Sequence, residues 1–456
     1  MEAEARRIVK RLRESGKQAY YVGGCVRDKL LGVESKAIDV TTAATPDHIS
    51  QLFPQAVLVG VSFGVALVGD VEVATFRHDH DYSDGRRPDA VTFTESAEQD
   101  VLRRDFTING LLYNPLQDEG IDHVGGRNDL EARLVRAIGE PADRFAEDKL
   151  RMLRAVRFAA RLGFSIEAST LAAIQASAED IGQVSAERVR DELVRILIEG
   201  GGRRGLELLD EAGLLQAILP EVSTLKGVEQ SPQHHPEGDV FTHTIVMLEG
   251  LARDCVPTLA MGVLLHDIGK PATFQRAMDR IRFNGHAEKG VEIAEGICER
   301  LRFSNAETEQ IVALVANHMR FMHVRDMRVS RLKRFLRAPR FDEHLALHRL
   351  DCLSSHGRLD NYEFTKSKLE EFSEEELRPE PLVTGNDLIA AGFAPGPAFK
   401  QVLQLAEDAQ LEGRATTKEE ALAIAVEALS PGDDPIRVGG PGPDGPQPCL
   451  AFMGRP

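Results

Sequence analysis

Near Pro141 the periodicity of this 456-residue chain changes. Upstream, short β-branched runs alternate with turn residues: Val57–Val59, Val65–Val68, Val71–Phe76 and Val91–Phe93, with Gly69-Asp70 as a hairpin signal between two of them. A helix is predicted over Ala3–Ser15, ahead of these strands. Downstream, strand signals almost vanish and apolar residues recur at helical spacing, beginning with Leu150, Leu153, Val156 and Ala160. The order predicts an α+β protein: a small mixed-sheet domain, then helical domains. The length suits roughly three domains, each with its own core. Breaks in the helical part are expected between Pro220 and Pro236, where His234-His235-Pro236-Glu-Gly interrupts the pattern, and over the acidic stretch Glu374 to Pro381. Residues 430–456, crowded with Pro, Gly and Asp, are expected to be disordered.

Net charge is −17, which opposes a nucleic-acid partner on its face, because affinity for phosphate comes from clustered Lys and Arg. Distribution matters more than the sum. Residues 1–30 carry eight basic residues against four acidic ones, and residues 320–340 carry eight against the single Asp326. The second block reads equally as an RNA footprint or as a solvated amphipathic helix, since Val329, Leu332 and Leu336 recur at helical spacing. Five scattered cysteines (Cys25, Cys255, Cys298, Cys352, Cys449) form no Cys-x-x-Cys pair and fit a reducing compartment. The longest apolar run, Val57 to Val68, is interrupted by Gly60, Ser62 and Gly64 and is too short to span a bilayer. A cytoplasmic location is expected, without membrane insertion.

Several short motifs follow one another. Gly23-Gly24 comes after an apolar segment and precedes a helix, so its free amides suit a phosphate, with Arg27 adding charge; alone, it is a tight turn. Asp39 and Glu72 sit on separate strands, and position 37, two before Asp39 and so expected on the same strand face, holds alanine. Arg103-Arg104-Asp105-Phe-Thr-Ile-Asn109 spaces Asp105 and Asn109 by one helical turn. Glu147-Asp148-Lys149-Leu150-Arg151 opens a helix that continues through Arg154, with Asp148 and Arg151 on one face. A carboxylate accepts from the exocyclic amine of cytosine or adenine, and a guanidinium donates to the neighbouring ring nitrogen; a surface ion pair is the plainer reading of those two residues. Between 243 and 351 runs a second set: His243, His266-Asp267-Ile-Gly-Lys270, His286, His318 and Asp351. Imidazoles and carboxylates in that mixture suit Mg²⁺, Mn²⁺, Ni²⁺ or Fe²⁺.

The order of the first motifs resembles the class II tRNA nucleotidyltransferase and poly(A) polymerase family, and the later set resembles an HD-type phosphohydrolase domain. The resemblance implies a polymerase-β-like nucleotidyltransferase head over 1–138, a helical neck for base recognition over 139–222, an HD-type body over 223–372 and a tRNA-binding tail over 380–429. It implies Mg²⁺ on Asp39 and Glu72, nucleotide contacts from Gly23, Gly24, Arg27, Arg104, Asp105, Asn109, Asp148, Arg151 and Arg154, and another divalent metal on His243, His266, Asp267, His286, His318 and Asp351. CTP and ATP are the implied donors and the tRNA 3′ end the acceptor; addition of CCA and of the terminal A alone both remain open. A long loop within 77–102 disfavours CC-only addition. The family carries Asp-x-Asp where this chain has Ala37-x-Asp39, so a shared metal ligand is missing and activity is expected to be impaired. Ala37 is either an introduced change or a natural loss, and the intact remainder of the pattern favours the first; rescue by Glu34 or Asp28 is a third option. The alternatives are a metal-dependent phosphohydrolase with a non-catalytic tRNA-binding head, and a poly(A) polymerase.

Overall fold

Alternating burial along Val71–Thr75, with Val71, Val73 and Thr75 inside, marks a strand with one face on a core. It belongs to a set of nine strands: β1 Ala19–Val22, β2 Asp39–Thr42, β3 Val57–Leu58, β4 Val65–Val68, β5 Val71–Thr75, β6 Arg77–His80, β7 Ala90–Phe93, β8 Leu111–Asn114 and β9 Glu119–Asp122. The computed structural model describes residues 1–35, 37–59, 64–80, 90–233, 235–278 and 280–429. Seven strands form a mixed sheet in the order β3-β4-β5-β2-β1-β8-β9. Within it β2 and β5 run parallel, with Val40 opposite Val73, and the other pairs are antiparallel. β6 and β7 pair with each other; the middle of the expected long loop, residues 81–89, lies outside the described residues. The helix Glu2–Glu14 buries Ala5, Ile8, Val9 and Leu12 against β1 and β2, as its three-and-four spacing predicts.

From Pro141 the chain is helical apart from short two-residue bridges. Helix Leu150–Leu162 packs on Ala186–Ile198 and Gly202–Glu211, and its buried stripe merges with the core of the sheet. Contacts divide the chain into two units, Met1–Phe321 with Asp342–Leu359, and Met322–Phe341 with the segment from Asp360 onward. The second unit has its own small core of Val383, Leu388, Val402, Ala406, Ala409, Ala415, Ala421 and Ala425. There the basic block forms helix Val329–Leu336, which buries Leu332 and Leu336 and leaves Val329 exposed. Arg334 binds Glu407 (2.8 Å) and Asp408 (2.6 Å), and Arg337 binds Glu407 (2.6 Å), so part of the apparent RNA footprint is neutralised inside the unit. The acidic stretch expected as a linker contains the short helix Glu374–Leu377, because Ser373 and Glu376 form a capping box. No described helix is long and apolar enough to cross a membrane. The expected disordered end, 430–456, lies outside the described residues.

Candidate active site and candidate metal centre

The parallel register of β2 and β5 turns Val40 and Val73 into the core, so the preceding residues Asp39 and Glu72 stand side by side on the opposite face. Each keeps contact with solvent. Partial burial raises both carboxyls; Asp39's charge raises Glu72 further, and the nearby Arg104 pulls both down. Two adjacent acids, one of them raised by the other's charge, fit a shared cation. The expectation that positions 37 and 39 share a strand face needs correction: the β1–β2 ladder ends at Val22 opposite Asp39, because Gly23 (φ 78°) turns the chain into helix Gly24–Leu30. Ala37 therefore lies before the strand, exposed, its carbonyl accepting from Ser35 Oγ at 2.8 Å. Asp28 is no substitute ligand, since Arg27 engages it at 2.7 Å and Arg161 at 3.6 Å.

Asp39 opens on a cavity of about 430 Å³ walled by arginines, which also takes in Gly23, Gly24, Asp105, Asn109, Asp148 and Phe158. Phe158 organises the wall: the guanidinium carbons of Arg27, Arg154 and Arg157 lie 5.3, 5.4 and 4.4 Å from its ring centroid. Arg27 donates to Asn109 Oδ1 (2.7 Å), Asn109 Nδ2 donates to Asp105 Oδ1 (3.2 Å), and Arg154 binds Asp105 Oδ2 (2.6 Å). Burial alone would raise Asp105, yet Arg154 outweighs it and holds the carboxyl down to about 2. Asp105 and Asn109 meet without the helix expected between them: helix Ala97–Leu102 ends early, Phe106 is extended, and only Thr107–Asn109 makes a tight turn. Arg103 and Arg104 are set instead by Asp100, a fully buried carboxylate that also accepts from Thr41 at 3.2 Å. Sequence reading missed Asp100, Phe158 and Arg188; only Asp100's spacing from the two arginines, three and four residues, hinted at a role.

Asp148 and Arg151 face this cavity, but not from one helix face. The chain breaks at Asp148 (φ −145°, ψ 103°) and restarts at Leu150, whose amide donates to Asp148 Oδ1 at 3.1 Å. Aspartate competes for backbone amides and so favours helix ends over interiors, which is the physical reason for the break. Arg188 holds Asp148 at 2.8 Å, while Arg151 binds Glu147 (2.6 Å) and the carbonyls of Arg144 and Arg103. The two therefore converge from adjacent segments, each fixed by a different partner.

The second constellation closes completely. His243 lies on helix Val240–Glu249 and Asp351 on Phe341–Ser354; His286 begins His286–Arg300, and His318 follows Asn305–Asn317. His266 and Asp267 sit in the turn after helix Pro257–Leu265, not inside a helix, since Pro271 starts a new short helix there. His266, His286 and His318 each aim Nδ1 at the carbonyl three residues earlier, at 2.9, 2.8 and 2.7 Å. A carbonyl only accepts, so Nδ1 carries the proton and Nε2 is a bare lone pair pointing inward. Burial keeps His286 low and pushes His318 down to about 3, so both rings are neutral. For His243 burial acts downward, but the neighbouring carboxylates of Asp351 and Glu237 win and raise it to about 9. His266 Nε2 and Asp267 Oδ2 are 3.0 Å apart, and His243 Nε2 and Asp351 Oδ1 3.3 Å apart, yet neither ring nitrogen has hydrogen-bond geometry. Close spacing without mutual aim describes ligands directed at a common point, and this donor set fits a divalent cation. Glu237, which accepts from His243 Nδ1 at 2.6 Å, and Lys270, 2.7 Å from Asp267, complete the surroundings. Neither had a signal beyond its neighbourhood. Gly269 is forced by space: a Cβ there would meet His286 O at 2.1 Å and Gly290 N at 2.6 Å. Gly269→Ala is expected to lower stability by about 1–3 kcal/mol and to reduce metal uptake, measured by urea denaturation and metal analysis of the purified variant.

Residues 19–136 match the poly A polymerase head domain, 163–225 the probable RNA and SrmB-binding site of polymerase A, and 240–354 the HD domain. The CCA-adding enzyme of Limosilactobacillus fermentum is 43% identical over 208 residues, 44% of this chain and 51% of that protein. That of Geobacillus thermodenitrificans is 43% identical over 213 residues, 45% and 52% of the two chains. The chain thus spans about half the length of the curated relatives it matches. The Bacillus stearothermophilus CCA-adding enzyme in complex with CTP superposes with a TM-score of 0.71 at 25% identity, covering 94% of this chain and 97% of that one. A Thermotoga maritima CCA-adding enzyme complexed with tRNA shares the fold, at TM-score 0.57 and 20% identity. Fold and site define a nucleotidyltransferase head joined to an RNA-binding neck and an HD body. In particular, head, neck and body together resemble those of bacterial CCA-adding enzymes, to which the chain is similar over about half its length.

Proposed function

We propose that the chain adds C and A nucleotides from CTP and ATP to the tRNA 3′ end without a nucleic-acid template, at a rate held down by Ala37. One observation carries the reading: Asp39, with Glu72 beside it on the neighbouring strand, lines an arginine-walled cavity that also receives Asp148 and Arg151. Mg²⁺ held by the two acids would supply charge to the phosphate oxygens and the attacking hydroxyl. The chain's own part is positional. Arg27, Arg104 and Arg154 face the triphosphate, the Gly23-Gly24 turn lets it approach the backbone, and Asp105 fixes Arg154. The tRNA 3′ oxygen bonds to the α-phosphorus and pyrophosphate leaves. Asp148, oriented by Arg188, accepts from the base amine, and Arg151 donates beside it.

Sequencing the products formed from tRNAs ending at the discriminator base, at C and at CC tests this at high protein concentration and long incubation. Ordered C, C, A products, or a lone terminal A, support it; long A-tails without tRNA preference would assign a poly(A) polymerase instead. Asp148→Ala is expected to cost about 1–3 kcal/mol of preference for CTP and ATP over UTP and GTP, read from competing incorporation. A second reading applies to the HD body, where the bare Nε2 atoms favour metal-dependent hydrolysis of a phosphate ester. Release of phosphate from a nucleoside monophosphate, lost in His266→Ala, would establish it.

A further inference from the structure

We infer that Asp100, a fully buried carboxylate that does not line the nucleotide cavity, is the positioning residue that couples grip on the triphosphate to choice of base. The inference rests on the reading of that cavity given above. Five donors occupy its two oxygens. Arg103 Nε and Nη2 reach Oδ1 at 2.9 and 2.6 Å, and the backbone amide of Arg77 reaches it at 3.4 Å. Arg104 Nη2 and Thr41 Oγ1 reach Oδ2 at 3.1 and 3.2 Å. Thr41 is two residues beyond Asp39 on β2, hence on the same strand face. One side chain thus ties the strand of the acid to both arginines of the Arg103-Arg104 motif.

The two arginines serve different parts of the cavity. Arg104 Nη1 stands by the Gly23-Gly24 turn, 3.8 Å from where a Cβ on Gly23 would lie, and Arg104 Nε is buried with no acceptor among the described residues. A guanidinium anchored at one nitrogen and short of an acceptor at another is set to receive an anion. Arg103 acts through its backbone: Oδ1 clamps its side chain, and its carbonyl accepts from Arg151 Nη2 at 3.2 Å. Arg151 is the donor assigned to the base edge, so both arms start from one carboxylate. Net stability does not account for such a cluster, because desolvation offsets most of the attraction between buried ions and apolar side chains of equal volume serve as well. Direction is what the carboxylate adds.

The test is equilibrium binding of CTP, UTP and inorganic tripolyphosphate to the full chain in Mg²⁺, by titration calorimetry, so that neither turnover nor Ala37 enters. The parent is expected to prefer CTP to UTP. Asp100→Asn is expected to weaken tripolyphosphate about tenfold and to shrink the CTP/UTP preference at least about fivefold, although residue 100 touches neither ligand. Arg104→Gln should lose tripolyphosphate affinity and keep the preference, which separates the two arms. Should Asp100→Asn not fold, Arg103→Met reads the base arm by itself and is expected to shrink the preference. In a folded Asp100→Asn chain, either quantity left unchanged overturns the coupling, as does an unchanged preference in Arg103→Met; both results leave the transferase reading standing. A parent that treats CTP and UTP alike overturns the base selection in that reading, and the coupling with it.

Discussion

Ala37→Asp is expected to raise incorporation of labelled CTP or ATP into truncated tRNA at least about a thousandfold, equivalent to ~4 kcal/mol at ~1.4 kcal/mol per tenfold. Asp39 and Glu72 stand alongside; in the proposed reading two carboxylates would leave a two-ion clamp short of its shared ligand, and charge developing at the α-phosphate would meet less compensation. Position 37 is exposed at the open end of β2, so a carboxylate enters without displacing a neighbour. Stability should change by no more than about 0.5 kcal/mol, as for an ordinary surface substitution. The gain should appear in kcat, since the arginines and glycines proposed to bind the triphosphate are untouched. If the folded variant is no faster than its parent, the head is a binding module and the transferase reading is wrong.

Arg157→Met is expected to be the most destabilising single change in the neck, at about 3–5 kcal/mol. Arg157 Nε lies 2.7 Å from Glu192 Oε2 with both side chains 6% exposed, and its Nη1 reaches Glu199 at 3.1 Å. Removing the guanidinium leaves the buried carboxylate of Glu192 with only the more distant Arg195, 3.9 Å away and largely exposed, and takes one of three cations from the ring of Phe158. The double variant Arg157→Met/Glu192→Leu should recover most of the loss, because the penalty is that of a stranded charge and not of missing attraction. Denaturant titration of parent, both single variants and the double decides it: a double variant less stable than Arg157→Met alone rules this account out. Because the same helices carry Arg151, Arg154 and Arg188, the single variant should also bind CTP more weakly.

Much of the head was legible. Strand runs Val65–Val68 and Val71–Phe76 were readable because one-sided burial imposes a two-residue alternation that needs no knowledge of the partner strand. The breaks at Asp148 and after Leu265 were not, since the first reflects a side chain taking a backbone amide and the second a proline without one, each within an otherwise continuous helical pattern. Asp100 and Phe158 also escaped notice, because a buried acid and a core aromatic look ordinary until the cations around them converge.

Which chemical groups the chain owns, and in what order, followed from the amino acids alone: the acids of the head, the arginine motifs, the six metal-type ligands and the alanine at 37. Residue type carries donor count, charge and metal preference wherever the side chain is placed. Which of these groups share a point was decided by the tertiary structure. The β2–β5 register sets Asp39 beside Glu72, Arg188 and not Arg151 takes Asp148, and Asp267 turns one oxygen to His266 and the other to His286. Those distances depend on strand register and helix packing between residues far apart in the chain, and local spacing carries no information about either.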